Sequence, residues 1–178
     1  VELLAGIPSV VYGFFGLVII VPFVRLLGPG TGLSVLAASL ILGIMILPTV
    51  ITVAQSALDA VPARYYEGAL ALGVDHEHAV FKVVAPAAAS GIMAAIVLGL
   101  GRAIGETMAV VMVAGNQTWM PKGLFQGLRT MTSNIVIEMG YAADLHREAL
   151  IATGVVLFVF ILLINLCFSL VKGGEKNG

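Results

Sequence analysis

The stretch LLGPGTGLSVLAASLILGIMILPTVITVAQSAL, residues Leu26–Leu58, contains no Asp, Glu, Lys or Arg. An α-helix rises about 1.5 Å per residue, so about 20 apolar residues cross the roughly 30 Å hydrocarbon core of a bilayer. This run exceeds that length even after Gly28-Pro29-Gly30, a turn signal, is set aside. Its remainder, about 33–54, reads as one spanning helix. Three further charge-free runs repeat the pattern: Leu3–Val24, Val83–Gly101 and Ala149–Val171. A soluble domain has no use for four such stretches. Of 178 residues, 60% are hydrophobic and 11% charged, where an ordinary soluble domain carries about 25% charged residues. Mean hydropathy is +1.07. The expected fold class is therefore an all-α membrane protein, a single domain over 1–178 with spans at about 7–24, 33–54, 87–114 and 149–171.

The spans carry their own marks. Pro8 lies near the start of the first and Pro22 near its end, while Pro48 interrupts the second. A proline inside a spanning helix is tolerated where neighbours satisfy the carbonyl it frees. The third run places Ala87, Gly91, Ala95, Gly99 and Ala103 every four residues, beside Gly101 and Gly105. Small residues at that spacing let helices approach backbone to backbone in lipid, so this span is expected to be the most enclosed by protein. Cys167, the single cysteine, sits in the last run and can form no intramolecular disulfide; a small apolar packing role suits it. A net charge of −1 gives no argument for nucleic acid. The chain opens on Val1 without an initiator Met or a charged n-region, so no signal peptide is read and an N-terminal part is expected to be missing. Arg64, Lys82, Lys172 and Lys176 stand on one side against Arg25, Lys122, Arg129 and Arg147 on the other. That tie leaves orientation open under the positive-inside rule.

Arg102 and Glu106, in GRAIGETMAV, are the charges that need explaining. Each costs roughly 2.5–3.5 kcal/mol at mid-membrane, and such residues are functional by default. In a continuous helix their i, i+4 spacing puts them on one face. They are either a self-neutralised structural pair or a solute site whose guanidinium forks onto a tetrahedral oxyanion. The segment 55–86 reads as two short helices. Pro62 opens Ala63–Leu72, Gly73 is its left-handed stop, and Asp75 caps His76–Val84, which is expected to finish before Pro86. His76 and His78 diverge at i, i+2 and suit a wet loop face better than a metal. Thr130, Thr132 and Ser133 can either hydrogen-bond a passing anion or cap a short helix. Trp119 and Tyr141 suit interface anchoring. Asn116-Gln117-Thr118 matches a glycosylation acceptor, a frequent chance match. No G-x-x-x-x-G-K-[ST] occurs, so ATP hydrolysis is not expected of this chain.

YYEGALALGVDHEHAVFKVVAP, Tyr65–Pro86, resembles the cytoplasmic coupling loop of ABC importer permeases: Glu-Ala-Ala, three residues, Gly, nine residues, Ile, any residue, Leu-Pro. Glu67, Ala69, Gly73 and Pro86 match in register; Gly68, Val83 and Ala85 depart from it. Around this loop, Glu2–Leu17, Gly99–Asn116 and Arg129–Gly140 are similar to the permease subunits of the phosphate-specific ABC importer, of PstC type. The resemblance implies phosphate as substrate, with Arg102 and Glu106 as a transport-relevant charged pair and Thr130 and Thr132 along the pathway. It implies that Glu67, Ala69, Gly73 and Pro86 dock on an ATPase dimer. The partners it implies are a second permease of PstA type, that ATPase, which would hold ATP and Mg, an extracytoplasmic phosphate-binding protein and the lipid bilayer, with no nucleic acid. The chain itself would bind no cofactor. It would be a multi-pass protein of a bacterial or archaeal cell membrane, its spans being the family's last four and the 55–86 loop cytoplasmic. Two other readings stay open: a permease for sulfate or molybdate, and an ion-coupled secondary transporter suggested by the Gly- and Pro-interrupted spans. A sensor subunit would bind without flux.

Overall fold

A computed structural model describes residues 6–174. Residues 1–5 and 175–178, which include the start of the Glu2–Leu17 stretch and Lys176, lie outside the described residues. The chain is helical, with no strand among the described residues. In order come α1 (Ser9–Leu27), α2 (Val35–Asp59), α3 (Ala63–Ala71), α4 (His76–Ala87), α5 (Ala89–Gly105), α6 (Met108–Val113), α7 (Met131–Glu138) and α8 (Asp144–Gly174). Three of these, α1, α2 and α8, are long and apolar enough to cross a membrane; α4 and α5, bent by 70°, pass together as a fourth.

Two prolines explain two local departures. Pro22 and Pro86 each follow a widened π turn, Gly16–Ile20 in α1 and Val80–Val84 in α4, closed by Val21 N–H to Gly16 O and Ala85 N–H to Val80 O. Proline has no N–H, and its ring crowds the carbonyl four residues back. A wider preceding turn relieves that crowding. The helix expected to stop before Pro86 therefore passes through it to Ala87, and the chain turns at Ala88 instead.

The core joins Tyr12, Val21 and Val24 of α1 to Ala37, Ile41 and Met45 of α2 and to Val110 and Val113 of α6. Glycine allows the approach: a Cβ on Gly13 would sit 2.9 Å from the Ala109 Cα, and one on Gly16 2.8 Å from Val113 Cγ1. The row of small residues on α5 packs on α2, with Gly91 against Ala57 and Gly99 against Val50. Its opposite face, with Met93, Ile96, Leu98 and Leu100, is exposed. Enclosure of the third span is therefore divided: α5 is covered only along the α2 contact, while α6 buries Ala109, Val110 and Val113 in the core. That span is also not one helix over 87–114. α5 ends at Gly105, Glu106 is extended (φ −68°, ψ 132°), and α6 begins at Met108.

One end of the bundle is closed by residues 115–128. Ser34 caps α2 by accepting from Ala37 N–H at 3.3 Å. Val35 and Leu36 donate to the carbonyls of Gln126 and Leu124, each at 2.9 Å. α3 and α4 lie at the other end of α2.

Candidate functional site

Arg102 lies in the last turn of α5. Its Nη1 donates to Thr49 Oγ1 of α2 at 3.0 Å, and no carboxylate pairs with it among the described residues. Together with Asn165 of α8 and the α5 residues Ala94, Val97, Leu98 and Gly101, they line a cleft of about 560 Å³. Sequence reading missed Thr49 and Asn165. Thr49 directly follows the proline in the second run, and Asn165 is the one side-chain amide in the last one. A side-chain amide in such a run is the signal that could have found it.

Glu106 does something else. Because the helix ends at Gly105, the i, i+4 face never forms, and the expected Arg102–Glu106 pair is absent. The Glu106 carboxylate accepts from Ala109 N–H at 3.0 Å and so caps α6. The Glu106 carbonyl accepts from Thr132 Oγ1 at 3.1 Å. Thr130 caps α7, accepting from Ser133 N–H at 3.2 Å and donating to Ser133 Oγ at 2.8 Å, with Thr132 Oγ1 at 3.0 Å. The structure thus brings Glu106, Thr130 and Thr132 together around the break and leaves Arg102 with Thr49.

A second charged group ties α7 to the closing loop. Arg129 donates from Nε to Asn116 O at 3.1 Å, and from Nη1 to Glu138 Oε1 at 2.6 Å and Asn134 Oδ1 at 3.2 Å. The Tyr141 hydroxyl first, and Arg129 second, hold the Glu138 carboxyl below the usual carboxylate range. Trp119 and Tyr141 are exposed at this end.

In the 55–86 segment, Gly73 adopts φ +82°. Val74 N–H then reaches back to Ala69 O at 3.2 Å, a left-handed helix stop. Asp75 holds the N-cap position without capping; its Oδ1 lies 2.7 Å from His78 Nδ1. His76 Nδ1 lies 2.8 Å from the Tyr66 hydroxyl, which braces α3 against α4. Ala69 is buried, Glu67 is exposed, and Tyr65, Leu70, Leu72 and Phe81 present an apolar outer face.

Residues 1–173 match the family described as "binding-protein-dependent transport system inner membrane component". The chain belongs to this family. It is 43% identical over 172 residues to the "probable ABC transporter permease protein YqgH" of Bacillus subtilis, covering 93% of this chain and 56% of the relative. It is 37% identical over 185 residues to the "phosphate transport system permease protein PstC" of Mesorhizobium japonicum, covering 92% and 57%. The PstC of Pasteurella multocida is 36% identical over 179 residues, covering 89% and 56%. The chain spans about half the length of the curated relatives it matches. No solved structure matches it.

As an integral membrane component of this family, the chain must account for every charge it places among apolar helices. Glu106 is accounted for by the α6 backbone it caps. Arg102 is not: among the described residues its partner is one neutral hydroxyl, which does not balance a guanidinium. A cation in low dielectric without a counter-charge favours an anion beside it.

Proposed function

We propose that this chain is the membrane-spanning part of a PstC-type permease, the path of an ATP-driven importer for inorganic phosphate. The observation that carries the reading is Arg102, a cation with no carboxylate partner among the described residues, on a cleft between α2, α5 and α8. Phosphate entering an apolar passage loses its hydration, and a guanidinium fork offsets that loss. The names of the PstC relatives support phosphate over another oxyanion. Glu106 serves the path indirectly: it holds the break between α5 and α6, where irregular backbone is tolerated beside a cavity or within protein, with Thr130 and Thr132 buttressing it.

The helix–Gly–helix of α3 and α4 is the dock for an ATPase dimer, which binds ATP and Mg, with Glu67, Ala69, Gly73 and Pro86 shaping it. A PstA-type permease completes the path, and a phosphate-binding protein delivers substrate from outside a bacterial or archaeal cell membrane.

The test is uptake of radiolabelled phosphate by the full-length importer with its ATPase. Arg102→Ala is expected to lower uptake at least tenfold, and Arg102→Lys to restore it only in part, since an ammonium lacks the planar fork. Arg102→Met with Glu106→Gln is expected to be no better than Arg102→Met alone, because the two charges are not each other's partners. Wild-type uptake by Arg102→Ala at normal expression sinks the reading. Uptake of sulfate in place of phosphate moves it to another oxyanion.

A further inference from the structure

The Arg102 cleft holds two polar side chains that no assignment above uses. Thr49 Oγ1 takes the Nη1 hydrogen of Arg102, and among the described residues Nε and Nη2 have no protein partner. Those two nitrogens form one edge of the guanidinium, the edge that grips two oxygens of an oxyanion side by side. Thr49 therefore does more than satisfy a donor: by holding Nη1 it fixes the plane of the group and leaves its forked edge free. Thr49 accepts in that bond, and its own hydroxyl hydrogen has no acceptor among the described residues. On α8, Asn165 lines the same cleft, and its amide makes no hydrogen bond among the described residues. A volume of about 560 Å³ holds an oxyanion with several waters, each taking about 30 Å³.

We infer that Thr49 and Asn165 are specificity-determining residues of this cleft, Thr49 orienting the Arg102 fork and Asn165 reading the protonation of the bound oxyanion. The inference rests on the reading of Arg102 as the anion contact. Its chemistry follows from what each group can give. Arg102 supplies only donors to the anion, and the Thr49 hydroxyl, with one lone pair taken by Arg102, offers its hydrogen and keeps one lone pair. Asn165 supplies a donor, Nδ2, and an acceptor, Oδ1. Phosphate near neutral pH carries at least one P–OH hydrogen, which Oδ1 can accept. Sulfate carries none, so it would leave that oxygen facing a bare anion. A site built to hydrogen-bond a substrate hydroxyl disfavours the analogue that lacks it.

The experiment is calorimetric titration of the assembled full-length permease in nanodiscs, first with inorganic phosphate and then with sulfate, beside phosphate uptake by the same variants. Wild type is expected to bind phosphate at least tenfold more tightly than sulfate. Thr49→Val is expected to weaken phosphate binding about tenfold, and Thr49→Ser, which keeps the hydroxyl, to stay within about twofold of wild type. Asn165→Leu is expected to bring phosphate affinity down towards that of sulfate while leaving sulfate within about twofold. A wild type that binds neither anion, or both equally, overturns the inference. So does equal weakening by Thr49→Val and Thr49→Ser, which would mark a packing role of the side chain rather than a role of its hydroxyl. Should Thr49→Val fail to assemble, the Asn165→Leu affinity ratio decides alone. Loss of uptake in Arg102→Ala with wild-type binding in Thr49→Val and Asn165→Leu overturns the inference and leaves the transport reading standing. Normal uptake in Arg102→Ala overturns both.

Discussion

Three charged side chains show how differently one sequence can treat a charge. Arg102 has a hydroxyl, Glu106 a backbone N–H, and Arg129 a carboxylate held at 2.6 Å. Only the last is a true ion pair, and it gives a pH prediction. The Tyr141 hydroxyl and then Arg129 depress the Glu138 carboxyl. A carboxyl depressed in the folded state contributes stability that is fully present above its unfolded value. That contribution is lost as pH falls through the lower folded value. Hydrogen exchange of residues 129–146 is therefore expected to rise on acidification below the ordinary carboxylate range, and Glu138→Gln to start high and respond much less. An acid response unchanged by Glu138→Gln would place the titrating group elsewhere. Sequence reading could single out Arg102 and Glu106, because charges in an apolar run stand out on cost alone. It could not place them, because one Gly before Glu-Thr reads the same whether the helix stops there or continues. Thr130 was legible as either cap or pathway residue, and the backbone of α7 uses it as a cap.

At the level of elements, periodicity served well where packing obeys it. The row of Gly91, Ala95 and Gly99 predicted close helix contact, and α5 meets α2 along it. What the row could not tell is how many sides are covered, since small residues mark one contact line and say nothing of the opposite face. The contact line is itself testable. A Cβ on Gly99 would lie 2.5 Å from Val50 Cγ2, closer than real contacts allow. Gly99→Ala is therefore expected to push α5 off α2, lower the detergent melting temperature by several degrees and weaken the Arg102–Thr49 contact, since overpacking costs roughly 1–3 kcal/mol. Val50→Ala removes the obstructing methyl groups, so the Gly99→Ala, Val50→Ala double variant is expected to regain most of the lost stability. Independent, additive losses would show that the two residues do not meet. The prolines taught the opposite lesson: Pro86 argued for a helix end, but a π turn before it lets the helix continue, and no residue pattern announces that turn.

Across the whole molecule the proposed docking loop and the proposed anion cleft both adjoin α2 but at different heights. α3 and α4 adjoin the Asp59 end of α2, while Arg102 meets Thr49 ten residues back along it. This separation predicts two classes of variant. Gly73 stands at φ +82° with no atom within 4 Å of where a Cβ would be. The cost of replacing it is therefore purely that of the backbone, about 1–2 kcal/mol for an ordinary L-residue, more for a β-branched one and less for Asn. Gly73→Val is expected to swing α4 away from α3 and lower ATPase co-purification several-fold, while Gly73→Asn retains most of it. Glu67→Lys, on an exposed position, inverts the charge the loop presents without touching its fold, and is expected to act in the same direction. Both should leave membrane insertion and phosphate binding by the assembled permease near wild type, because neither residue reaches the cleft. Arg102→Ala should do the reverse, keeping the ATPase and losing the anion. Normal ATPase co-purification by Gly73→Val and Glu67→Lys combined would show that the loop is not the dock, and would leave the Arg102 cleft to be judged on anion binding alone.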